Sequence, residues 1–175
     1  MAITFSTLRS AATRPSRVVA NSLSEALSMR KQTAFLCHSH IDKDLAIGLQ
    51  TLLKENGWDL YIDWQDNEMP STPDKNTANK IKSKIAATQW FLFLATQNST
   101  SSRWCPWEIG YADSSKNHDQ ILIVPTEDDQ GRFYGNEYLQ LYRQLTDASN
   151  TSINKRGYAV FNAGATQGGL WVDQL

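Results

Sequence analysis

Apolar and polar positions follow two rhythms along the chain. Residues 33–37 (Thr-Ala-Phe-Leu-Cys) form a short apolar run without helical spacing, which predicts a buried strand. Over residues 42–56 the rhythm changes: Leu45, Leu49, Leu52 and Leu53 share one face of a helix that Asn56-Gly57 stops. Residues 58–63 predict a second strand, and the polar stretch with Pro70 and Pro73 predicts a loop. Ala78, Ile81 and Ile85 mark a second helix. Residues 90–94 (Trp-Phe-Leu-Phe-Leu) are apolar at every position, which predicts a strand covered on both faces. Ser101 and Ser102 can cap a third helix, with Pro106 tolerated in its first turn. Residues 121–124 read as a fourth strand ended by Pro125, 137–145 as a helix, 158–161 as a fifth strand, and 170–175 as a terminal turn or short helix.

Strand and helix therefore alternate. Alternation with short connections predicts an α/β fold: a five-stranded parallel sheet with helices on both faces and right-handed crossovers. Ligands of such sheets bind outside the carboxyl ends of the strands. Three segments converge there: the residues after Cys37, those after Asp63, and the start of the third helix.

Composition narrows the function classes. A chain of 175 residues fits one domain with a real core. A net charge of −1 gives no non-specific attraction to nucleic acid or anionic membrane. No apolar run reaches the ~18 residues of a membrane span. Two cysteines, Cys37 and Cys105, are too few for a disulfide scaffold and read as reduced, which suits a cytoplasmic protein. The three histidines lack zinc-ligand spacing, so no metal is expected. The first 31 residues differ from the rest, with Arg9, Arg14, Arg17, Arg30 and Lys31 against Glu25 alone among acids. That composition is compatible with an organelle transit peptide. The expectation is an N-terminal extension, 1–31, with one short helix over 22–31, followed by a domain over 32–175.

Several nucleotide and hydrolase motifs are missing. There is no G-x-G-x-x-G after the first strand, no phosphate-binding G-x-x-x-x-G-K-[ST] loop and no G-x-S-x-G elbow. A phosphoacceptor receiver would place acidic residues just after the first strand. His38, Ser39 and His40 stand there instead. Two segments carry a resemblance. Phe35-Leu-Cys-His-Ser-His-Ile-Asp-Lys-Asp44 resembles the TIR (Toll/interleukin-1 receptor) signature of an apolar strand, a Ser/His-rich turn and an Asp. Ser102-Arg-Trp-Cys-Pro-Trp-Glu108 is similar to the TIR segment in which Trp-Cys precedes a Glu on the third helix. The resemblance implies the flavodoxin-like TIR fold, with the loop after Asp63 as its mobile BB loop.

The resemblance also implies an activity. In NAD-cleaving TIR proteins the third-helix Glu is catalytic, which here designates Glu108. Expulsion of neutral nicotinamide from a cation needs no general acid, and one carboxylate can stabilise the oxocarbenium-like ribosyl group that remains. The two-carboxylate arrangement of ordinary glycosidases is then not required. NAD+ is the substrate and no cofactor is implied. Glu108 is expected close enough to its helix amino end for the dipole to favour ionisation. Trp104, one turn earlier, can stack on a nicotinamide or adenine ring, or simply pack. His38, Ser39 and His40 can contact phosphate or ribose, or cap the next helix. Lys43 can add charge for phosphate, and Asp63 and Trp64 end the second strand beneath the loop. Trp107 and Tyr111 are expected in the core, Cys105 as structural and His118 on the surface.

The product, ADP-ribose or a cyclic ADP-ribose isomer, stays open at this point. A stand-alone TIR protein of this kind resembles the TIR subunit of Thoeris-like antiphage systems, whose product signals to a partner effector. Self-association through TIR–TIR contacts is then expected to control turnover. The alternative is an adaptor or mimic that signals by TIR–TIR contact without chemistry.

Overall fold

A computed structural model of the chain describes residues 1–15, 32–66, 75–135 and 137–175. The helix expected over 22–31 and the loop with Pro70 and Pro73 lie outside the described residues. The central strands are β2 (Gln32–Cys37), β3 (Trp58–Tyr61), β4 (Trp90–Ala95) and β5 (Ile121–Glu127). They alternate with α2 (Lys43–Lys54), α3 (Lys75–Ala87), the short α4 (Gln97–Thr100) and α5 (Cys105–Ser115). Before them stand β1 (Ile3–Thr4) and α1 (Phe5–Ala12). After them come β6 (Phe133–Tyr134), β7 (Arg143–Asn150), β8 (Lys155–Phe161) and β9 (Leu170–Trp171).

The sheet runs β3-β2-β4-β5-β7-β8-β9. Pairing is parallel from β3 through β7 and antiparallel from β7 to β9. Counted within the parallel part alone, the order is 2-1-3-4-5, that of the flavodoxin-like doubly wound sheet. The parallel α/β core expected from sequence is present, but the sheet has nine strands among the described residues rather than five, and the last parallel strand of the core order is not the one expected. It is β7, whose first three residues fall in the span 137–145 that was expected as a helix. The strand expected at 158–161 is instead the antiparallel β8, paired along its length with β7.

The reason lies in which side chains the core takes. Leu139, Tyr142 and Leu145 are buried, whereas Tyr138 and Leu141, needed for a helical face, are exposed. Glu137 sits at φ 58°, outside the helical region, so the chain makes only a 3-10 turn (Glu137–Leu141) before extending. At the C-terminus the expected turn is present as a 3-10 turn (Val172–Gln174), preceded by the short strand β9, which was not expected.

Strand residues alternate between two cores. Ala34, Leu36, Leu92, Leu94, Leu122 and Val124 pack with Leu8, Leu45, Leu49, Leu52 and Leu53, so α1 and α2 cover one face. Phe35, Cys37, Phe91, Phe93, Ile121 and Ile123 pack with Ile81, Ile85, Cys105, Ile109 and Ala112, so α3 and α5 cover the other. This two-sided burial explains the continuous apolar runs of β4 and β5.

Residues 1–14, placed by sequence in an extension, are built into this body. Ile3 and Thr4 pair in parallel with Thr126 and Glu127. Thr4 caps α1 by accepting the Thr7 amide at 3.1 Å, and Leu8 and Ala11 are fully buried. Arg9 pairs with Asp44 and Asp129, and Arg14 with Glu55. The α1 backbone lies so close to α2 that a Cβ on Gly48 would stand 2.0 Å from the Leu8 carbonyl oxygen. Among the described residues no helix is long and apolar enough to cross a membrane.

Candidate active site

The carboxyl end of the parallel sheet opens into one cleft of ≈ 210 Å³. It lies beside β2, where strand order reverses, the usual ligand position in such sheets. His38, Ser39 and His40 enter it from the turn after β2, Asp63 from the turn after β3, and Trp104 and Glu108 from the start of α5. Six of the eight site residues expected from sequence thus share one cavity. Trp64 and Lys43 stand behind it: the Trp64 indole N–H donates to His38 Nε2 at 2.9 Å, and Lys43 Nζ lies 5.1 Å from the Trp64 ring centroid.

The turn after β2 is held from below. Ser39 Oγ accepts the Ile41 amide at 3.4 Å and opens a 3-10 turn (His40–Asp42) that leads into α2. Asp42 is buried and accepts hydrogen bonds from the Thr96 hydroxyl and the Asn98 amide, both at 2.6 Å. This carboxylate ties the turn to the end of β4. Sequence reasoning gave Asp42 no such role, because its partners lie more than 50 residues away.

Three side chains form a connected polar network. His38 Nδ1 donates to the Leu36 carbonyl at 3.1 Å, so Nε2 is left as the acceptor for Trp64. Burial lowers the His38 pKa against the neighbouring Asp63 charge, and both contacts suit the neutral ring. His40 Nε2 donates to Asp63 Oδ2 at 2.9 Å while most of its ring faces solvent. That hydrogen bond raises the His40 pKa. Burial pushes the Asp63 carboxyl up, but the His40 hydrogen bond, both histidine charges and the Trp64 amide outweigh it and hold it below its ordinary value.

Glu108 differs from Asp63. It belongs to the first turn of α5, which begins with Pro106 in a tolerated position and with Ser102 Oγ accepting the amides of Trp104 and Cys105. Its side chain is 6% exposed, and desolvation raises its pKa from 4.5 to about 7. A hydrogen bond from the Cys37 thiol acts in the opposite direction and is outweighed. The expectation that the helix dipole would keep Glu108 ionised is therefore corrected. The loss of water around a nearly enclosed carboxylate exceeds what one helix end returns. Cys37 itself is fully buried, with its thiol pKa raised by desolvation, and lies 3.8 Å from the Cys105 carbonyl, so it stays a neutral donor. Cys37 as a neighbour of Glu108 was not visible in sequence, where it read as one more apolar strand position.

The cleft is completed by Phe35, Leu36, Thr77, Ile81 and Ser102. Thr77 and Ile81 come from α3, whose apolar spacing was legible while its role as a cleft wall was not. Trp107 and Tyr111, expected in the core, instead form an outward ledge: Trp107 packs edge-on against Trp104 with centroids 5.5 Å apart and stacks on Tyr111 at 6.3 Å. His118 is exposed, as expected, and stacks on Tyr142 at 4.8 Å. Among the described residues no group of three or more His, Cys, Asp or Glu could hold a metal ion.

This geometry suits a ligand with a flat ring beside Trp104 and a centre of developing positive charge beside Glu108. A family profile described as TIR domain matches residues 34–155, which include every residue of the cleft. A curated relative from Bacillus cereus (strain MSX-D12), named "Probable 3' cyclic ADP-D-ribose synthase ThsB'", is 31% identical over 140 residues, 79% of this chain. The aligned part spans 66% of that relative's length, slightly less than two thirds.

Proposed function

This chain belongs to the TIR domain family, and on that premise we propose that it cleaves the bond between nicotinamide and ribose in NAD+. The observation that carries the reading is Glu108: a carboxylate almost removed from water, at the floor of the cleft that also holds Trp104. The bound nicotinamide ring carries the positive charge. When the C–N bond breaks, its electron pair leaves with nicotinamide as a neutral molecule, and the ribose carbon and its ring oxygen take up the charge. A carboxylate facing that centre across a dry gap stabilises it more strongly than one in water. The same dryness holds the free Glu108 near pKa 7, and the arriving cation favours its ionised form. Charge on the catalytic group is thereby coupled to occupancy by the charged substrate.

Trp104 borders the cavity and offers its ring face to nicotinamide. Asp63 is committed to His40 and the Trp64 amide, which suits it to orienting ribose hydroxyls rather than to attacking. The second step needs an oxygen nucleophile that loses a proton as it bonds to the ribose carbon. Water gives ADP-ribose; a hydroxyl of the adenosine ribose gives a cyclic isomer. The name of the Bacillus cereus relative favours cyclisation. In this reading the product is a signal in antiphage defence, delivered to an effector, and TIR–TIR self-association switches turnover on.

The test is incubation of purified protein with NAD+, with and without a crowding agent to promote assembly, beside Glu108→Ala. Nicotinamide release that disappears in the variant is expected, together with a second product one water lighter than ADP-ribose. ADP-ribose alone would turn the reading to hydrolysis. Absence of nicotinamide release from assembled protein would turn it to an adaptor that signals by contact.

A further inference from the structure

The cleft is too small for a whole dinucleotide. Pockets that enclose ligands of drug size run from ~300 to 1,000 Å³, and this one measures ≈ 210 Å³. Its floor and Trp104 account for nicotinamide and the adjoining ribose. The diphosphate and adenosine must lie against surface outside it.

Three lysines lie over aromatic rings around the cleft among the described residues, and one of them, Lys84 over Tyr61, is already paired with Asp66 at 3.0 Å. On one side Lys43 lies over Trp64, but that ring packs on the core and its N–H is engaged by His38. On the other side Lys82 Nζ stands 5.6 Å from the Trp107 ring centroid and 5.4 Å from that of Tyr111. Lys82 follows Ile81, a wall of the cleft, and Trp107 abuts Trp104, another wall. Trp107 is 36% exposed, an unusual state for the largest apolar side chain. Tyr111 extends the same face of α5 by another turn. The ledge is thus continuous with the cleft, aromatic along its length and positively charged at its centre, and no acidic side chain pairs with Lys82 among the described residues.

Resting on the proposed NAD+ reading, we infer that Lys82, Trp107 and Tyr111 form the subsite for the adenosine diphosphate half of the substrate. Lys82 meets the diphosphate, whose charge it complements, and swings from ring to phosphate without leaving its half-buried stem. Trp107 and Tyr111 offer flat faces for adenine. The subsite sets affinity and substrate choice, while Glu108 keeps the chemistry.

The experiment compares NAD+ with nicotinamide riboside, which carries the scissile bond but neither phosphate nor adenine, in the parent, Lys82→Met, Trp107→Leu and Lys43→Met proteins. Met keeps the lysine stem over the rings and removes only the charge. Lys82→Met and Trp107→Leu are expected to raise KM for NAD+ roughly tenfold or more, the effect of losing a charge-assisted contact, with kcat and the riboside KM moving less than about twofold. Equal KM for NAD+ in parent and both variants would overturn the subsite. So would a rise in Lys43→Met with none in Lys82→Met. If the parent releases no nicotinamide, the proposed activity fails by itself. Quenching of tryptophan fluorescence by ADP then decides the subsite: a Kd weakened tenfold in Lys82→Met upholds it, and an unchanged Kd or no binding overturns it.

Discussion

Replacing Glu108 by Gln should make the protein more stable at high pH and change how its stability depends on pH. Gln keeps nearly the same shape and a carbonyl oxygen for the Cys37 thiol, but it does not ionise. The native carboxyl titrates at about 7, against 4.5 when free of the fold. An acid whose folded pKa is raised binds its proton more tightly in the native state. Its contribution is therefore most favourable below the unfolded value and is lost as pH rises toward the folded one. At 1.36 kcal/mol per unit, the native state gives up about 2.5 kcal/mol through this one group between pH 5 and pH 8. Above pH 8 the loss levels off near its limit of about 3.4 kcal/mol.

Urea unfolding followed by circular dichroism at pH 5, 6, 7 and 8, on parent and Glu108→Gln in parallel, isolates the term, because all other titrating groups are common to both. The difference in unfolding free energy, parent minus variant, should fall steadily over that range. With an m-value of about 2 kcal/mol/M the relative midpoints move by roughly 1 M. Parallel profiles, with a difference constant to within about 0.5 kcal/mol, would refute the account of Glu108 as a desolvated carboxylate. A difference moving the other way would mean that the helix end and the Cys37 hydrogen bond outweigh burial.

The same shift has a kinetic counterpart: kcat/KM for nicotinamide release should rise with pH through an apparent pKa near 7, and a profile flat from pH 5.5 to 8.5 would contradict it. Trp64→Phe removes the donor to His38 Nε2, so it should lower stability by about 1–3 kcal/mol in denaturant melts. It should also raise the His38 pKa in a nitrogen-detected NMR titration, since the freed Nε2 can take a proton. Gly48→Ala would ordinarily strengthen a helix by about 1 kcal/mol; here the added Cβ meets the Leu8 carbonyl, and a lower melting temperature, equivalent to about 1–3 kcal/mol or more, is expected.

What was legible in the sequence follows from where the burial signal is local. Residues 90–94 are apolar throughout because both faces of β4 are covered, and that alone implies a central parallel strand. The four leucines of α2 repeat at helical spacing because one face meets the sheet. The β7–β8 hairpin carries no such signature. β7 reads Arg-Gln-Leu-Thr-Asp-Ala-Ser-Asn and buries only Leu145 and Thr146, so its strand character comes from pairing with β8 rather than from its own pattern. α1 was missed for the same reason, since two buried side chains, Leu8 and Ala11, suffice to dock it once Gly48 lets the backbones touch. The site divides likewise. Residue types and their order placed His38, His40, Asp63, Trp104 and Glu108 near one another, because a doubly wound sheet gathers its strand ends. Their charge states could not be read that way. Asp63 and Glu108 are both carboxylates at strand or helix ends, yet two imidazoles hold one down, while burial raises the other against the hydrogen bond from the Cys37 thiol. That division is a property of partners brought together across more than 20 residues for one and about 70 for the other. It is also what the proposed cleavage of NAD+ calls for: one acid fixed as a charge to orient the sugar, and one whose charge appears when a cation arrives.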